Sequence, residues 1–156
     1  MIIVSFSNQE ILSLEQKKEV DIFIQFYIDK LLSKQNKSSK KYYIHIEFCS
    51  RLEGKKGETE VESDETEKGK YKEYLILIKK SNHSEGFLQT IAHELTHVKQ
   101  YMEGRLNFGK DMNHTIWNGK TYDERKISYW FHPWEIDAYG TEKCIYELYL
   151  EKKSQT

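Results

Sequence analysis

One segment of the chain carries three residues whose types and spacing favour metal chemistry. His93, Glu94 and His97 form a His-Glu-x-x-His motif within residues 91–98. In a helix, side chains four residues apart lie on the same face one turn apart, so both imidazoles can reach one metal ion. The carboxylate of Glu94 then lies beside that ion, where it can take a proton from a bound water. The motif predicts a zinc site with His93 and His97 as ligands and Glu94 as general base.

The residues around this motif predict a helix that buries one face and presents the histidines on another. Apolar side chains recur at spacings of three and four residues, at Leu88, Ile91, Leu95, Val98 and Met102. Such a stripe is typical of a helix packed against a core. On a helix with about 3.6 residues per turn, His93 lies about 160° away from Leu95. We therefore expect the histidine pair to face a cleft.

A catalytic zinc ion normally has three protein ligands and a water, so a third ligand must come from outside this helix. Glu135 is the preferred candidate because it lies at the start of a second predicted helix, in which Ala138 is small enough to allow close packing. The alternatives are His114, His132 and Asp137. A metzincin-type continuation does not fit, because Gln100 stands at its glycine position and Glu103 at its histidine position.

The elements that must position these residues are predicted from periodicity and turn signals. Strands are predicted at residues 2–6, 42–49 and 73–79, helices at 14–34, around the motif and from 133 onwards, and a hairpin at 115–122. The predicted helix caps are Ser13 with Gln16, Ser84 or Asn82 with Glu85, and Gly104 at the end of the motif helix. The charged stretch 51–72 is predicted to be a flexible excursion between two strands. The second ligand helix is expected to pack through Trp134, Ala138, Ile145 and Leu148.

Length and element order predict a single α+β domain over residues 1–156. The expected architecture is an N-terminal helix packed on a short mixed sheet, followed by the motif helix and a C-terminal helix that carries the third ligand. The formal net charge of -1, without a long basic tract, argues against nucleic acid as the main partner.

Cysteine usage and hydropathy predict a cytoplasmic protein with no membrane association. Cys49 and Cys144 form no C-x-x-C pair and are expected to be buried free thiols in a reducing compartment. The longest apolar run, residues 74–78, is far shorter than the about 20 residues of a membrane span. Residues 1–6 also lack the basic region of a secretion signal.

Two helical motifs and the segment between them resemble a known family. The residues that carry the resemblance are 87–101 (FLQTIAHELTHVKQY), 117–120 (WNGK) and 133–139 (PWEIDAY). They are similar to those of the small single-domain gluzincin-type metallopeptidases of phages and bacteria and, more loosely, to SprT-like proteins, over roughly residues 73–150. The resemblance implies a zincin-like fold, a zinc cofactor and peptidase activity.

The resemblance also bears on the residues around the metal. A gluzincin takes its third ligand from a glutamate on the following helix, which places it at Glu135, whereas the third histidine of SprT-like proteins favours His114 or His132. Tyr139 occupies the position of the gluzincin aspartate that orients a ligand histidine. The chain departs from the family pattern at this position, and Asp137 and Glu142 are the candidates to take over that role.

Together these observations predict a zinc-dependent peptidase that acts on protein or peptide substrates. Glu94 deprotonates a zinc-bound water for attack on a peptide carbonyl and returns the proton to the leaving amine. The candidates for oxyanion stabilisation are Tyr129, His132 and Tyr122. An extended peptide can pair with a free edge of the sheet.

Two rival functions are a non-catalytic, zinc-stabilised binding or regulatory module and a regulatory protease dedicated to one protein target. The presence of Glu94 favours catalysis over the binding module, because a structural zinc site needs no base and usually has four protein ligands.

Overall fold

A computed structural model describes residues 1–62 and 73–156 of the chain. Within these residues the strands are β1 (Ile2–Ser7), β2 (Tyr42–Cys49), β3 (Gly57–Glu62), β4 (Glu73–Lys79), β5 (Leu106–Phe108), β6 (His114–Trp117) and β7 (Lys120–Asp123), and the helices are α1 (Leu14–Leu31), α2 (Ser33–Asn36), α3 (Ser84–Met102) and α4 (Pro133–Ser154). Short 3₁₀ turns lie at Gln9–Ile11, Glu124–Lys126 and Tyr129–Phe131.

The larger sheet is mixed, with strand order β1-β2-β4-β3. β1, β2 and β4 run parallel, whereas β3 is antiparallel to β4. Alternate residues of the two central strands are buried on one face, including Ile44, Ile46, Ile76 and Ile78. α1 and α3 bury their apolar faces in the same core. The predicted α+β class with a mixed sheet is confirmed.

α1 forms the predicted capping box and packs through the predicted face. Ser13 Oγ accepts a hydrogen bond from the Gln16 backbone N–H, and Gln16 Oε1 accepts one from the Ser13 N–H. The Tyr27 hydroxyl lies 2.8 Å from Thr96 Oγ1 and so ties α1 to α3. The helix ends at Leu31 and not at Lys34, because the chain leaves helical geometry at its C-cap before the separate turn α2.

β3 corrects the prediction of a flexible excursion over residues 51–72. Gly57, Thr59 and Val61 alternate with three glutamates, and the strand pairs with β4 over its whole length. A strand at a sheet edge can carry glutamates on one face, because that face is open to water. Residues 63–72 of the predicted excursion lie outside the described residues.

α3 begins and ends close to the predicted residues, but its predicted N-terminal cap is absent. The N-cap is His83, which makes no side-chain capping hydrogen bond. Ser84 is already the first helical residue, and its side chain therefore does not cap the helix. At the other end, Gly104 has φ 71°, the left-handed conformation that glycine adopts without strain.

A second sheet, with strand order β5-β6-β7, lies between α3 and α4 in sequence. The predicted hairpin is confirmed, since Asn118 (φ 49°) and Gly119 (φ 80°) form its turn between β6 and β7. Both residues have positive φ, as a two-residue type I′ turn requires. β5 was not predicted from the sequence.

α4 begins at Pro133, as predicted, but its packing face is partly different. Trp134, Ala138 and Ile145 are buried, whereas Leu148 is 42% exposed. Tyr149 takes its place, with its ring 5.0 Å from the ring of Phe23 in α1. The face of α4 that packs against α1 therefore includes Tyr149 and not Leu148.

Cys49 and Cys144 were predicted to be buried free thiols. Both thiols are free, but neither is buried: Cys49 is half-buried and Cys144 is exposed. Cys49 lies on the outer face of β2, opposite the buried face that includes Phe48. None of the helices in residues 1–62 and 73–156 combines the length and apolar character needed to cross a bilayer.

Candidate metal centre

α3 presents both motif histidines on a face that is not part of its apolar stripe. The rings of His93 and His97 lie 4.8 Å apart and are nearly perpendicular. Their Nε2 atoms are separated by 3.1 Å and point towards a common position. The spacing of four residues on one helix produces this convergence.

Glu135 completes the group from the first turn of α4. Its Oε2 lies 3.0 Å from His93 Nε2, and its Oε1 lies 3.4 Å from His97 Nε2. Ala138, which is fully buried, lets α4 pack closely against α3. The structure therefore brings together the three residues predicted as ligands, with one donor atom from each within 4.8 Å of the others.

The hydrogen bonds at Nδ1 of His93 and His97 show that this group fits a metal ion. His93 Nδ1 donates to Glu142 Oε2 at 2.7 Å, and His97 Nδ1 donates to Gln100 Oε1 at 2.9 Å. A neutral imidazole has a single N–H, so in their neutral forms, which metal binding requires, both rings present the lone pair of Nε2 to the shared position. Two imidazole nitrogens and a carboxylate form a donor set that could hold a divalent metal ion.

The electrostatics of the group also favour a positive charge at this position. Burial lowers the pKa of His93, but hydrogen bonds with the carboxylates of Glu135 and Glu142 outweigh it and raise the pKa to about 9. Burial raises the pKa of Glu135, but hydrogen bonds with His93 and His97 outweigh it and hold that pKa well below its usual value. Glu135 is therefore a carboxylate at neutral pH.

No family model, curated protein or solved structure matches this chain. The resemblance to gluzincin-type metallopeptidases stays a prediction from the sequence motifs.

Glu94 lies beside the donor group and is held from the edge strand of the larger sheet. Thr59 Oγ1 lies 2.6 Å from Glu94 Oε2, to which it donates, and 3.2 Å from the backbone oxygen of Glu94. A Cβ on Gly57 would lie 2.8 Å from Cγ and Oε1 of Glu94, so only glycine leaves room for this side chain. Burial raises the pKa of Glu94, although His97 and Thr59 oppose the rise. A raised pKa suits a group that must accept and then release a proton.

Of the three residues predicted to stabilise an oxyanion, Tyr129 contacts the donor group. Its hydroxyl donates to Glu135 Oε2 at 2.9 Å and lies 3.3 Å from the hydroxyl of Tyr139. Burial, the hydrogen bond with Tyr139 and the charge of Glu135 raise the pKa of Tyr129, so its hydroxyl keeps its proton. His132 Nε2 donates to the Ile127 carbonyl, and the ring of Tyr122 packs against Trp134.

The alternative third ligands make contacts of their own. His114 Nδ1 donates to Asp111 at 2.7 Å, and His132 makes the backbone contact described above. Asp137 accepts hydrogen bonds from Gln100 and Arg105. Among residues 1–62 and 73–156, the group that could hold a metal consists of His93, His97 and Glu135.

Several residues around the site had little or no signal in the sequence. Glu142 was one of two candidates to orient a histidine, and it is the one that contacts His93. Gln100 was noted only as a departure from the metzincin pattern, although it lies three residues after His97 and on the same helix. Gly57 and Thr59 are far from Glu94 in sequence, and only the register of β3 brings them to it.

A cleft of about 1030 Å³ opens over the donor group. Gly57 and Thr59 of β3 contribute to one wall, and Leu106 and Thr115 of the second sheet contribute to another. The exposed ring of Trp130 also lines the cleft and lies 5.3 Å from the ring of Tyr139, which in turn lies 4.5 Å from that of His93. This volume is at the upper end of the range typical of ligand-binding pockets.

Proposed function

We propose that this protein is a zinc-dependent peptidase with a zincin-like fold. The observation that carries the proposal is the convergence of two Nε2 atoms and the Glu135 carboxylate beside a buried glutamate, all lining one cleft. A site with three protein donors and access to solvent is typical of catalytic zinc, whereas structural zinc usually has four protein ligands.

The bound zinc would polarise the scissile carbonyl and make the attacking water more acidic. Glu94 accepts the proton of that water and delivers it to the nitrogen of the leaving amine when the C–N bond breaks. Thr59 keeps the side chain in place through Oε2, so the proton is taken up at Oε1. Burial favours the uptake of this proton, because the raised pKa of Glu94 makes its carboxylate a stronger base.

Tyr129 is the donor that we assign to the carbonyl oxygen. Its raised pKa keeps the hydroxyl protonated over the physiological range, so it can donate a hydrogen bond as negative charge develops. The same hydroxyl now donates to Glu135, so it already lies beside the donor group.

The edge of β3 supports a peptide as the substrate. β3 pairs with β4 along one side, and Gly57, Glu58 and Thr59 line the cleft. An extended peptide can pair with the backbone of such an edge and lie across the donor group.

Comparison of the wild type with Glu94→Gln tests the proposal. Zinc content is measured by metal analysis, and cleavage is measured on an unfolded protein substrate by mass spectrometry. We expect both proteins to bind zinc and the wild type alone to cleave. Zinc binding without cleavage by either protein on any unfolded substrate would instead favour a zinc-stabilised binding module, and a wild type that binds no zinc overturns the proposal.

A further inference from the structure

We infer that Gln100 and Asp137 are positioning residues, which fix the ring of His97 for metal binding through a chain of hydrogen bonds that reaches Arg105. The inference rests on the proposed metal site, but it concerns residues that are not ligands. It assigns to His97 an uncharged hydrogen-bond partner, whereas His93 has the carboxylate of Glu142.

The orientation of the Gln100 amide is determined by two acceptors. Gln100 is completely buried, with 0% of its surface exposed. Its Nε2 donates to the Trp134 carbonyl and to Asp137 Oδ2, each at 2.9 Å. Rotation of the amide by 180° would place Oε1 against both of these oxygens, so the Trp134 carbonyl and Asp137 would face an acceptor and lose this donor. The amide therefore keeps Oε1 towards His97.

The fixed Oε1 in turn determines the tautomer of His97. Nδ1 of the ring must carry the proton, because Gln100 Oε1 can only accept. The lone pair of the neutral ring is then on Nε2, which faces His93 and Glu135. Such hydrogen bonds raise the affinity of a histidine for a metal, since no rotation or proton transfer is needed when the ion binds.

Asp137 extends the chain of hydrogen bonds to the second sheet. Its Oδ2 accepts from Gln100 and, at 3.3 Å, from Nη2 of Arg105. The guanidinium of Arg105 lies 4.9 Å from the ring of Trp117 in β6, and its Nε donates to Glu103. Asp137 therefore acts on His97 through Gln100, without contact to the ring.

Two substitutions and one control separate this role from general stability. Gln100→Glu keeps the shape and an oxygen for His97 but loses both donors, and it places a carboxylate against Asp137. Asp137→Ala removes one acceptor from a partly exposed position and leaves the Trp134 carbonyl. Glu103→Gln is the matched control, because the Glu103 carboxylate shares Arg105 with Asp137, and its recorded partners are Arg105 and Lys99 and not Gln100.

Zinc affinity is measured by competition with a chromophoric chelator, and the protonated nitrogen of His97 is identified from long-range ¹⁵N–¹H spectra. We expect Gln100→Glu to weaken zinc binding about 10- to 100-fold and Asp137→Ala to weaken it less. Glu103→Gln should bind as the wild type does. In metal-free wild type at alkaline pH, the proton of His97 should be on Nδ1.

Wild-type zinc affinity in both variants, or a proton on Nε2 of metal-free wild type, would overturn the inference. Absence of zinc binding by the wild type overturns the proposed function, while the spectrum of the metal-free protein still decides whether Gln100 sets the tautomer. If Gln100→Glu does not fold, Asp137→Ala and the wild-type spectrum are sufficient for the decision.

Discussion

Glu94 is positioned by two residues that contribute no ligand. Thr59 donates to its carboxylate, and Gly57 provides the space that its side chain occupies. Both residues belong to β3, so the position of Glu94, the proposed general base, depends on the register between β3 and β4. A substitution in β3 can therefore move Glu94 while His93, His97 and Glu135 stay unchanged.

Gly57→Ala should lower peptidase activity but retain zinc affinity. The added methyl group would lie 2.8 Å from Cγ and Oε1 of Glu94, so the base must move. Displacement of a catalytic group by a fraction of an ångström to 1 Å lowers kcat/KM by about 10- to 100-fold. The measurement is kcat/KM for an unfolded substrate, together with zinc content.

Gly86→Ala is the matched control, because this glycine also lines the cleft and a Cβ there has nothing within 4 Å. It should retain full activity. Equal activity of Gly57→Ala and the wild type would show that Glu94 is not confined in this way.

The two thiols should differ in their rates of modification. Burial, with the nearby charge of Glu47, raises the pKa of Cys49, so less of it is thiolate at a given pH. Cys144 is exposed on α4. An aromatic disulfide reagent at mildly alkaline pH should therefore modify Cys144 first, as followed by absorbance in wild type, Cys144→Ser and Cys49→Ser. Equal rates for the two single-thiol proteins would contradict the placement of Cys49.

The three proposed metal ligands, His93, His97 and Glu135, differed in how well the sequence alone predicted them. The spacing of His93 and His97 is local and translates directly into geometry on a helix. Glu135 required a choice among candidates on several segments, which depended on helix placement and on the resemblance. Gly57 and Thr59 could not be found, because their contacts depend on which residues of β3 face α3. A one-residue shift in register would turn both residues away from α3.

At the level of secondary structure, the elements whose sequences have strong periodicity or a clear turn signal were predicted best. β2 lies at the predicted residues, and β4 and the hairpin also match the predictions. β3 was missed because its glutamates dominate the composition of the stretch, although they alternate with Thr59 and Val61. The N-terminal cap of α3 was also wrong, since Ser84 is a capping residue type but lies one position inside the helix.

The contact between α1 and α3 should contribute measurably to stability. Tyr27→Phe removes the hydrogen bond between the buried hydroxyl of Tyr27 and Thr96, which still donates to the Ala92 carbonyl. We expect the free energy of unfolding to fall by about 1 kcal/mol, as measured by chemical denaturation. Tyr43→Phe, on the exposed outer face of β2, is the control and should change it little. A larger effect of the control would contradict this account of the core.

At the scale of the whole molecule, the donor group connects two helices that are far apart in sequence. His93 and Glu135 are 42 residues apart, and the second sheet lies between them in the chain. A ligand that binds both helices stabilises the folded state, because the unfolded chain has no preformed group of donors.

Zinc should therefore raise the thermal unfolding midpoint, and a chelator should reverse the effect. With free zinc at roughly 100 times the dissociation constant, the gain is about 2.7 kcal/mol, or about 5 to 10 °C for a chain of this length. Differential scanning fluorimetry of wild type and His97→Ala, with and without zinc, measures it. His97→Ala should show little shift, and a wild type whose midpoint does not respond to zinc would contradict the prediction.

The separation of the ligands along the chain has a consequence for biosynthesis. A nascent chain that has left the ribosome only as far as α3 carries the two histidines but not Glu135, and the cleft wall formed by the second sheet is also incomplete. Such a chain has neither the full donor group nor a complete substrate cleft. If the proposed function holds, a nascent chain gains hydrolytic competence only after Glu135 has been translated and the first turn of α4 has packed against α3.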